Sequence, residues 1–213
     1  MLMHIAGQEL SLLSRRPRTI LWFAALALSL WVAVLACGFA AMGRYEFTPG
    51  DEGPRAANWP ADTAIPLDAT KSTLVVFAHP RCPCTRATLD ELERIVARAP
   101  EAAAYHVCFT RPAGTTDDFH QGFLFEKARS IPGVSVAIDD GGIEAERFGA
   151  RTSGDAVLYA PDGELLFHGG ITGSRGHAGE NEGQAAVIEI LSGGAQAAKG
   201  TCVFGCPLRS SAL

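Results

Sequence analysis

The sequence predicts a mixed α/β domain behind a single N-terminal transmembrane helix. Three observations support this prediction. A long uncharged run lies near the N-terminus, short apolar runs then alternate with segments of helical periodicity, and a strong turn separates the last two apolar runs. Strands that alternate with helices along a chain are typical of a sheet covered by helices on both faces.

The first element is the uncharged run from Ile20 to Gly43, which is long enough to cross a bilayer as a helix. Arg15, Arg16 and Arg18 precede it, so the positive-inside rule puts residues 1–19 in the cytoplasm and the rest of the chain outside it. We therefore expect a single-pass protein of the bacterial inner membrane, with residues 20–43 in the bilayer and a soluble periplasmic domain.

Cys37 offers an alternative to the uncleaved anchor. Val34-Leu35-Ala36-Cys37 has the form of a lipoprotein processing box, which would place a lipid on Cys37. The residues after it stay apolar, and this favours an uncleaved transmembrane helix. Both alternatives tether the domain to the membrane.

The remaining chain divides by composition and periodicity. Residues 44–71 are rich in Pro, Gly, Ala and Asp and are predicted to be a spacer, residues 72–191 the domain, and residues 192–213 a C-terminal tail with a cysteine pair. The predicted strands are 74–78, 105–110, 134–138, 156–159 and 165–168. The predicted helices are 85–99, one that begins at Asp117 or Asp118 and ends at Pro132, 143–148 and 182–191.

Composition excludes one class of partner. The net charge is -5 and the eighteen basic residues are spread along the chain, so no nucleic-acid interface is expected. The hydrophobic share of 47% is enough to form a core.

Five cysteines lie outside the predicted span. In an oxidising compartment such thiols are disulfide-bonded, kept reduced by a dedicated system, or bound to metal. These five residues are Cys82, Cys84, Cys108, Cys202 and Cys206.

Cys82 and Cys84 lie between the first predicted strand and the helix that follows it. Free N–H groups at a helix N-terminus stabilise a thiolate, which predicts a depressed pKa and a nucleophile at Cys82. A disulfide between residues this close closes a small, strained ring, and such disulfides are readily reduced. Positive charge is expected from His79, Arg81 and Arg86.

The order of elements and this motif resemble the thioredoxin-like superfamily, and more narrowly the membrane-anchored thioredoxin-like and RedB-like proteins of bacteria. The stretch 117–138 corresponds to the helix and strand that such proteins insert in mid-domain. The attacking cysteine of the family lies five residues beyond a phenylalanine, which here is Phe77, and so falls on Cys82. The family's second cysteine falls on Thr85, so Cys84, which follows Pro83, is displaced by one residue.

The resemblance also implies a proline that faces the attacking cysteine. Alignment on the turn Pro161-Asp162-Gly163 places that position at Gly154, so Ser153 and Gly154 are geometric candidates for the site without the proline. A glycine there still allows close approach of a backbone.

The predicted function is a thiol–disulfide oxidoreductase in which Cys82 attacks and Cys84 resolves the mixed disulfide, with a protein thiol or disulfide as partner and no cofactor. One alternative is a copper-binding or metallochaperone module with Cys82, Cys84 and His79 as ligands, because thiolates and imidazole suit Cu(I). Another is a thioredoxin-fold binding platform without catalysis.

Two further features have open roles. Cys202 and Cys206 form a local disulfide that pins the tail, or one of them resolves a mixed disulfide on Cys82. The glycine-rich loop 169–183 is longer than a connection requires, and its candidate site residues are Arg175 and His177. Cys108, inside a predicted strand, is expected to be buried.

Overall fold

A computed structural model describes residues 2–194 and 197–210. The chain forms two compact units, one that ends at Tyr45 and one that begins at Glu46. Each unit is described by itself.

The first unit is helix α1, Leu2–Glu46. Its part from Arg18 to Glu46 is long and apolar enough to cross a membrane. The predicted span 20–43 lies within this part, and large apolar side chains such as Trp22 and Phe39 are exposed along it. Residues 2–19, predicted as a separate segment, belong to the same helix.

The second unit is built on a five-stranded sheet in the order β3-β2-β1-β4-β5. Strand β1 pairs in parallel with β2 and antiparallel with β4, while β3 continues the parallel side and β5 the antiparallel side. The strands are β1 Ser72–Ala78, β2 Ala103–Arg111, β3 Val134–Asp140, β4 Asp155–Tyr159 and β5 Leu165–Gly170.

Helices cover both faces of this sheet, as predicted. Alternate residues of β1 point to opposite faces: Leu74 and Val76 pack in the core under α2 and α5, whereas Val75 and Phe77 pack in a second core with Phe148 of α4. The helices are α2 Thr85–Arg98, α3 Phe123–Ser130, α4 Ile143–Phe148 and α5 Glu182–Leu191. The mixed α/β fold class is therefore confirmed.

Helix α3 begins later than the sequence predicted. Its N-cap residue is Gly122, with φ +151°, and neither Asp117 nor Asp118 caps it. The Asp118 carboxylate instead accepts a hydrogen bond from the Thr116 hydroxyl in the preceding turn. Aspartate is favoured in such turns as much as at helix caps, so composition alone did not separate the two positions.

The segment predicted as a spacer packs on the domain over much of its length. The Trp59 ring lies 5.0 Å from that of Phe148 and 5.2 Å from that of Tyr159. Arg55 forms an ion pair of 2.6 Å with the buried Asp155. Prolines and glycines suggested a linker, but the apolar and charged side chains between them complete the second core.

The tail also belongs to the domain. The Thr201 N–H donates to the His168 carbonyl at 3.2 Å, and further on the Leu208 N–H donates to the Arg151 carbonyl at 2.9 Å. Leu208 is buried in the second core. The tail therefore crosses the end of the sheet at which β1 runs into α2.

Candidate active site

The site begins where β1 ends. After Ala78 the chain makes a turn in which the Cys82 N–H donates to the His79 carbonyl at 3.2 Å and the Thr85 N–H donates to the Cys82 carbonyl at 3.1 Å. Helix α2 then starts at Thr85, and Cys84 is its N-cap residue. The strand, turn and helix follow the sequence prediction.

Three sulfur atoms meet in this turn. The Sγ atoms of Cys82, Cys84 and Cys206 all lie within 4.8 Å of one another. All three are free thiols, and their exposed fractions are 0%, 6% and 8%. We call them the three-thiol cluster.

The C-terminal segment brings Cys206 into the cluster. The Ser153 N–H donates to the Cys206 carbonyl at 2.8 Å, and Thr152 forms an antiparallel bridge with Pro207. A cysteine far away in sequence therefore lies within 4.8 Å of Cys82, as the neighbouring Cys84 does.

The cluster stabilises one negative charge, on Cys82. A hydrogen bond from the Cys84 thiol, assisted by the thiol and backbone N–H of Cys206, lowers the pKa of Cys82 to about 4 against the opposing effect of burial. The hydrogen bond to Cys82 together with burial raises the pKa of Cys84, while burial above all raises that of Cys206 to about 12. At neutral pH the cluster holds one thiolate and two thiols.

Arg175 reaches this cluster and His177 does not. The Arg175 guanidinium donates to the Gly205 carbonyl. Its positive charge opposes part of the rise in the pKa of Cys84 and Cys206. His177 is exposed, and its ring nitrogen contacts the Arg175 carbonyl at 3.0 Å. Of the two loop candidates, only Arg175 acts on the thiols.

His79 supplies neither charge nor a free ligand atom. It is fully buried, and burial lowers its pKa below the usual 6.5. Its Nδ1 accepts the Arg81 N–H at 3.2 Å, and its Nε2 lies 2.9 Å from the Ser210 carbonyl, which requires a proton on Nε2. The expectation of a cationic or metal-ligating His79 is wrong, because both ring nitrogens are already bonded.

The two arginines of the motif face aromatic rings. The Arg81 guanidinium lies 4.0 Å from the ring centre of Phe119, and that of Arg86 lies 5.8 Å from the ring centre of Phe123. Both arginines are exposed, as is Pro83 between the two cysteines. The low pKa of Cys82 thus comes mainly from the hydrogen bonds to its sulfur, and the predicted arginine contribution is not among its leading causes.

Phe119 is a site residue that the sequence reasoning missed. It is buried, with its ring edge-on to the His79 ring at 5.7 Å, and it lies before helix α3 and not within it. The only feature of the sequence that could have indicated this role is that Phe119 is an aromatic residue among polar ones.

Comparisons with known proteins bear on the fold. No protein-family model matches the chain, and no curated protein does. A solved structure of a conserved protein from Geobacillus kaustophilus is 18% identical, with 78% of this chain and 94% of that one covered and a TM-score of 0.56. A hypothetical protein from Sinorhizobium meliloti is 21% identical, with 78% and 97% covered and a TM-score of 0.54.

A third solved structure, a thioredoxin-like protein from Aeropyrum pernix, is 13% identical, with 73% and 95% covered and a TM-score of 0.41. This chain has the architecture that the sequence resemblance implied: a mixed sheet in the order β3-β2-β1-β4-β5 with helices on both faces, and cysteines at the junction of β1 and α2. The fold is thioredoxin-like.

In this thioredoxin-like fold, hydroxyl groups occupy the place that the resemblance gives to the second cysteine. The Thr85 hydroxyl donates to the His79 carbonyl at 3.0 Å and lies 2.9 Å from the Ser153 hydroxyl, which accepts the His79 N–H at 2.9 Å. Because Thr85 has one proton to donate, Ser153 donates to Thr85. This closed network joins the turn to the loop before β4.

Gly154, at the expected proline position, serves a different purpose. Its N–H donates to the Phe77 carbonyl at 2.8 Å, and its φ is +96°. A Cβ there would lie 2.9 Å from the Thr88 hydroxyl. Proline fits neither the φ angle nor the hydrogen bond, so the departure from the family pattern has a local cause.

The remaining cysteines lie outside the cluster. Cys202 is exposed while Cys206 is buried beside Cys82, so the expected local disulfide between Cys202 and Cys206 is absent from this thioredoxin-like domain as the structure describes it. Cys108 is buried in the second core, as expected, and burial raises its pKa.

Proposed function

We propose that this protein is a membrane-anchored thiol–disulfide oxidoreductase whose attacking group is the Cys82 thiolate. The observation that carries the proposal is the three-thiol cluster, in which a stabilised thiolate has two protonated thiols within 4.8 Å. A thiolate is the nucleophile in disulfide exchange, and a nearby thiol releases the mixed disulfide.

The exchange balances in two steps. The Cys82 thiolate attacks one sulfur of a partner protein's disulfide, that S–S bond breaks, and the departing sulfur takes a proton from water. The thiol of Cys84 or Cys206 then loses its proton and attacks the Cys82 sulfur as a thiolate, and the partner's second sulfur leaves and takes up a proton. The partner gains two electrons and two protons, and the protein keeps an intrachain disulfide; the reverse steps oxidise a partner dithiol.

Before a partner binds, both neighbours lie within reach of Cys82 as candidate resolving thiols. Cys84 is the neighbour that the motif predicts, but Cys206 lies equally within 4.8 Å of Cys82, and the Arg175 charge acts on both. The Cys-Pro-Cys motif therefore supplies two of the three thiols of the cluster.

The place of action follows from the N-terminal helix and its flanks. The arginines before the apolar run favour a cytoplasmic N-terminus, which supports a single-pass protein of the inner membrane with the three-thiol cluster in the periplasm. In that compartment the partners are exported proteins with disulfides or thiols.

Trapping tests the exchange. The full chain with both Cys84→Ser and Cys206→Ser, incubated with oxidised glutathione, should hold a stable glutathione adduct on Cys82 that mass spectrometry detects. The matched control is the same chain with Cys82→Ser added, which should show no adduct in this turn. Absence of an adduct on Cys82 at any pH between 5 and 8 would overturn the oxidoreductase proposal and leave copper binding and the binding platform.

Copper binding is the second candidate function, and one observation favours it. Three cysteine sulfurs within 4.8 Å form a soft donor set that suits Cu(I). The fit differs from the set expected from sequence, because His79 is occupied at both ring nitrogens and Cys206 supplies the third donor. Cys82, Cys84 and Cys206 would hold the ion.

Titration of the reduced full chain with Cu(I) tests this candidate. Stoichiometric binding that is lost in Cys206→Ser and retained in Cys202→Ser and His79→Asn supports the three-sulfur set. Failure to bind at one equivalent removes copper from consideration, whatever the result with glutathione.

A further inference from the structure

The C-terminal segment Gly205–Leu208 lies against the active-site turn like a bound peptide. The Ser153 N–H donates to the Cys206 carbonyl and the Leu208 N–H donates to the Arg151 carbonyl, at 2.8 and 2.9 Å. These bonds flank the antiparallel bridge between Thr152 and Pro207. Two backbone bonds around one bridge are the pairing of two short antiparallel segments, here the tail and the loop before β4.

The segment also places a cysteine on the nucleophile. The Cys206 sulfur lies within 4.8 Å of the Cys82 sulfur, and the Cys206 backbone N–H stabilises the Cys82 thiolate. A partner's cysteine that Cys82 attacks needs the same two contacts: a backbone held by hydrogen bonds and a sulfur next to the Cys82 sulfur.

Cys82 is closed to a partner while this segment is in place. The exposed fraction of Cys82 is 0%, and Cys82 forms one buried cluster with Cys84 and Cys206. A partner's sulfur and Cys206 therefore compete for one position.

We infer that Gly205–Leu208 is the resident intramolecular occupant of the docking site that the loop Arg151–Ser153 and Cys82 offer to an extended, cysteine-bearing segment of a partner protein. This inference rests on the proposed oxidoreductase function and names the kind of substrate. The occupant must leave before exchange between proteins begins.

The contacts of Gly205 specify what the docking site accepts. A Cβ at residue 205 would lie 1.9 Å from the Ser153 carbonyl oxygen, so a side chain there clashes with the loop that pairs with the segment. Proline is tolerated at position 207, although it has no N–H, because the pairing uses only the N–H groups of Ser153 and Leu208. The preferred partner segment therefore has glycine immediately before its cysteine.

Peptide exchange with the full chain in detergent tests the inference. Every chain carries Cys84→Ser, Cys202→Ser and Cys206→Ser, so that an adduct on Cys82 persists. The probes are the peptides Val-Phe-Gly-Cys-Pro-Leu and Val-Phe-Val-Cys-Pro-Leu, each with its cysteine in a disulfide with thiopyridine. The Cys82 thiolate attacks the peptide sulfur, thiopyridone leaves, and its absorbance gives the rate.

Adding Gly205→Val to this chain should displace the resident segment. Loss of the two backbone hydrogen bonds that hold the segment predicts that the glycine peptide reacts about tenfold or more faster with Gly205→Val than with the parent chain. The valine peptide should stay about tenfold slower than the glycine peptide on the same chain.

A second variant covers a failure of Gly205→Val to fold. Arg209 holds the end of the segment by donating to the Gly142 carbonyl at 2.9 Å and to Glu146 at 2.6 Å, away from the thiols. Arg209→Ala should accelerate the glycine peptide in the same direction, by a smaller factor, with an unchanged circular dichroism spectrum.

The outcomes separate the inference from the function on which it rests. Equal rates for the two peptides, or a parent chain as fast as both variants, overturn the docking inference. If Cys82 in those chains still exchanges with oxidised glutathione, the oxidoreductase proposal stands. Absence of reaction with glutathione and with both peptides overturns both.

Discussion

The sulfur of Cys206 lies within 4.8 Å of the sulfur of Cys82, although one residue belongs to the end of the chain and the other to the first strand–helix junction of the domain. The two are joined through the loop before β4, whose Ser153 donates to the Cys206 carbonyl. This contact turns a two-cysteine motif into a three-thiol cluster and sets the chemistry that can be tested.

The first prediction concerns the ionisation of Cys82. Because hydrogen bonds to the sulfur lower its pKa to about 4, the ultraviolet absorbance of the thiolate should be present at neutral pH and disappear as the pH falls through about 4. Cys206→Ala removes a hydrogen-bond donor and should shift the midpoint upward. Cys202→Ala is the matched control and should leave the midpoint unchanged; absence of an absorbance step near pH 4 in the parent chain would contradict the assignment.

The second prediction concerns disulfide pairing. After mild oxidation of the full chain, peptide mapping should find Cys82 bonded to Cys84 or Cys206, because these sulfurs are neighbours and Cys202 is exposed. Cys202→Ser should give the same map, whereas Cys84→Ser should leave only the bond to Cys206. A bond between Cys202 and Cys206 as the main product would show that the tail moves away from the site.

The third prediction concerns the glycine at the expected proline position. Gly154→Pro loses the hydrogen bond to the Phe77 carbonyl and cannot adopt φ +96°, so the free energy of unfolding should fall by about 3 kcal/mol or more. Gly114→Ala is a control for left-handed backbone alone, since its φ is +82° and its Cβ would meet open space. That variant should cost about 1–2 kcal/mol.

Urea unfolding of both variants in detergent measures the difference. A Gly154→Pro chain as stable as the parent would mean that the loop before β4 adopts another backbone conformation. Gly154→Ala should fall between the two, because its Cβ would press on the Thr88 hydroxyl at 2.9 Å.

The fourth prediction concerns the hydroxyl network. Ser153→Ala leaves the buried His79 N–H without its acceptor, which should lower the free energy of unfolding by about 1–3 kcal/mol. Ser192→Ala, which removes an exposed hydroxyl that donates to the Ile188 carbonyl, should change it by less than about 0.5 kcal/mol. Equal effects of the two substitutions would show that the network does not hold the turn.

The fifth prediction concerns pH and Asp155. Burial raises the pKa of Asp155 from 3.8 to about 6 despite the ion pair with Arg55. Between these values the folded chain keeps a proton that the unfolded chain has lost, so this group's contribution to stability is complete below pH 3.8 and falls as the pH rises through about 6. The expected loss is about 3 kcal/mol.

Urea unfolding at several pH values checks this slope. Asp155→Asn should remove the Asp155 part of it, whereas Asp162→Asn, an exposed residue in the β4–β5 turn, should leave it unchanged. Stability that rises between pH 4 and 6 in the parent and not in Asp155→Asn would show that the ion pair outweighs burial.

Local patterns predicted most of the architecture. Helix α5 and the short helix α4 lie where periodicity placed them, and the strands differ only at their ends. Helix α3 was misplaced at its start, because aspartate suits a turn as well as a helix cap. The mixed sheet followed from the order of these elements, since chain connectivity leaves few ways to arrange them.

By itself, the sequence determined that Cys82 lies between a buried strand and a helix, and that an apolar N-terminal helix precedes the domain, because both depend on neighbours along the chain. Only the tertiary structure decided the partners of that thiol. Cys206 lies in the three-thiol cluster and Cys202 lies outside it. Both ring nitrogens of His79 are hydrogen-bonded, one to the Arg81 N–H and the other to the Ser210 carbonyl. The physical reason is that hydrogen bonds and burial between distant segments leave no periodic trace in the sequence.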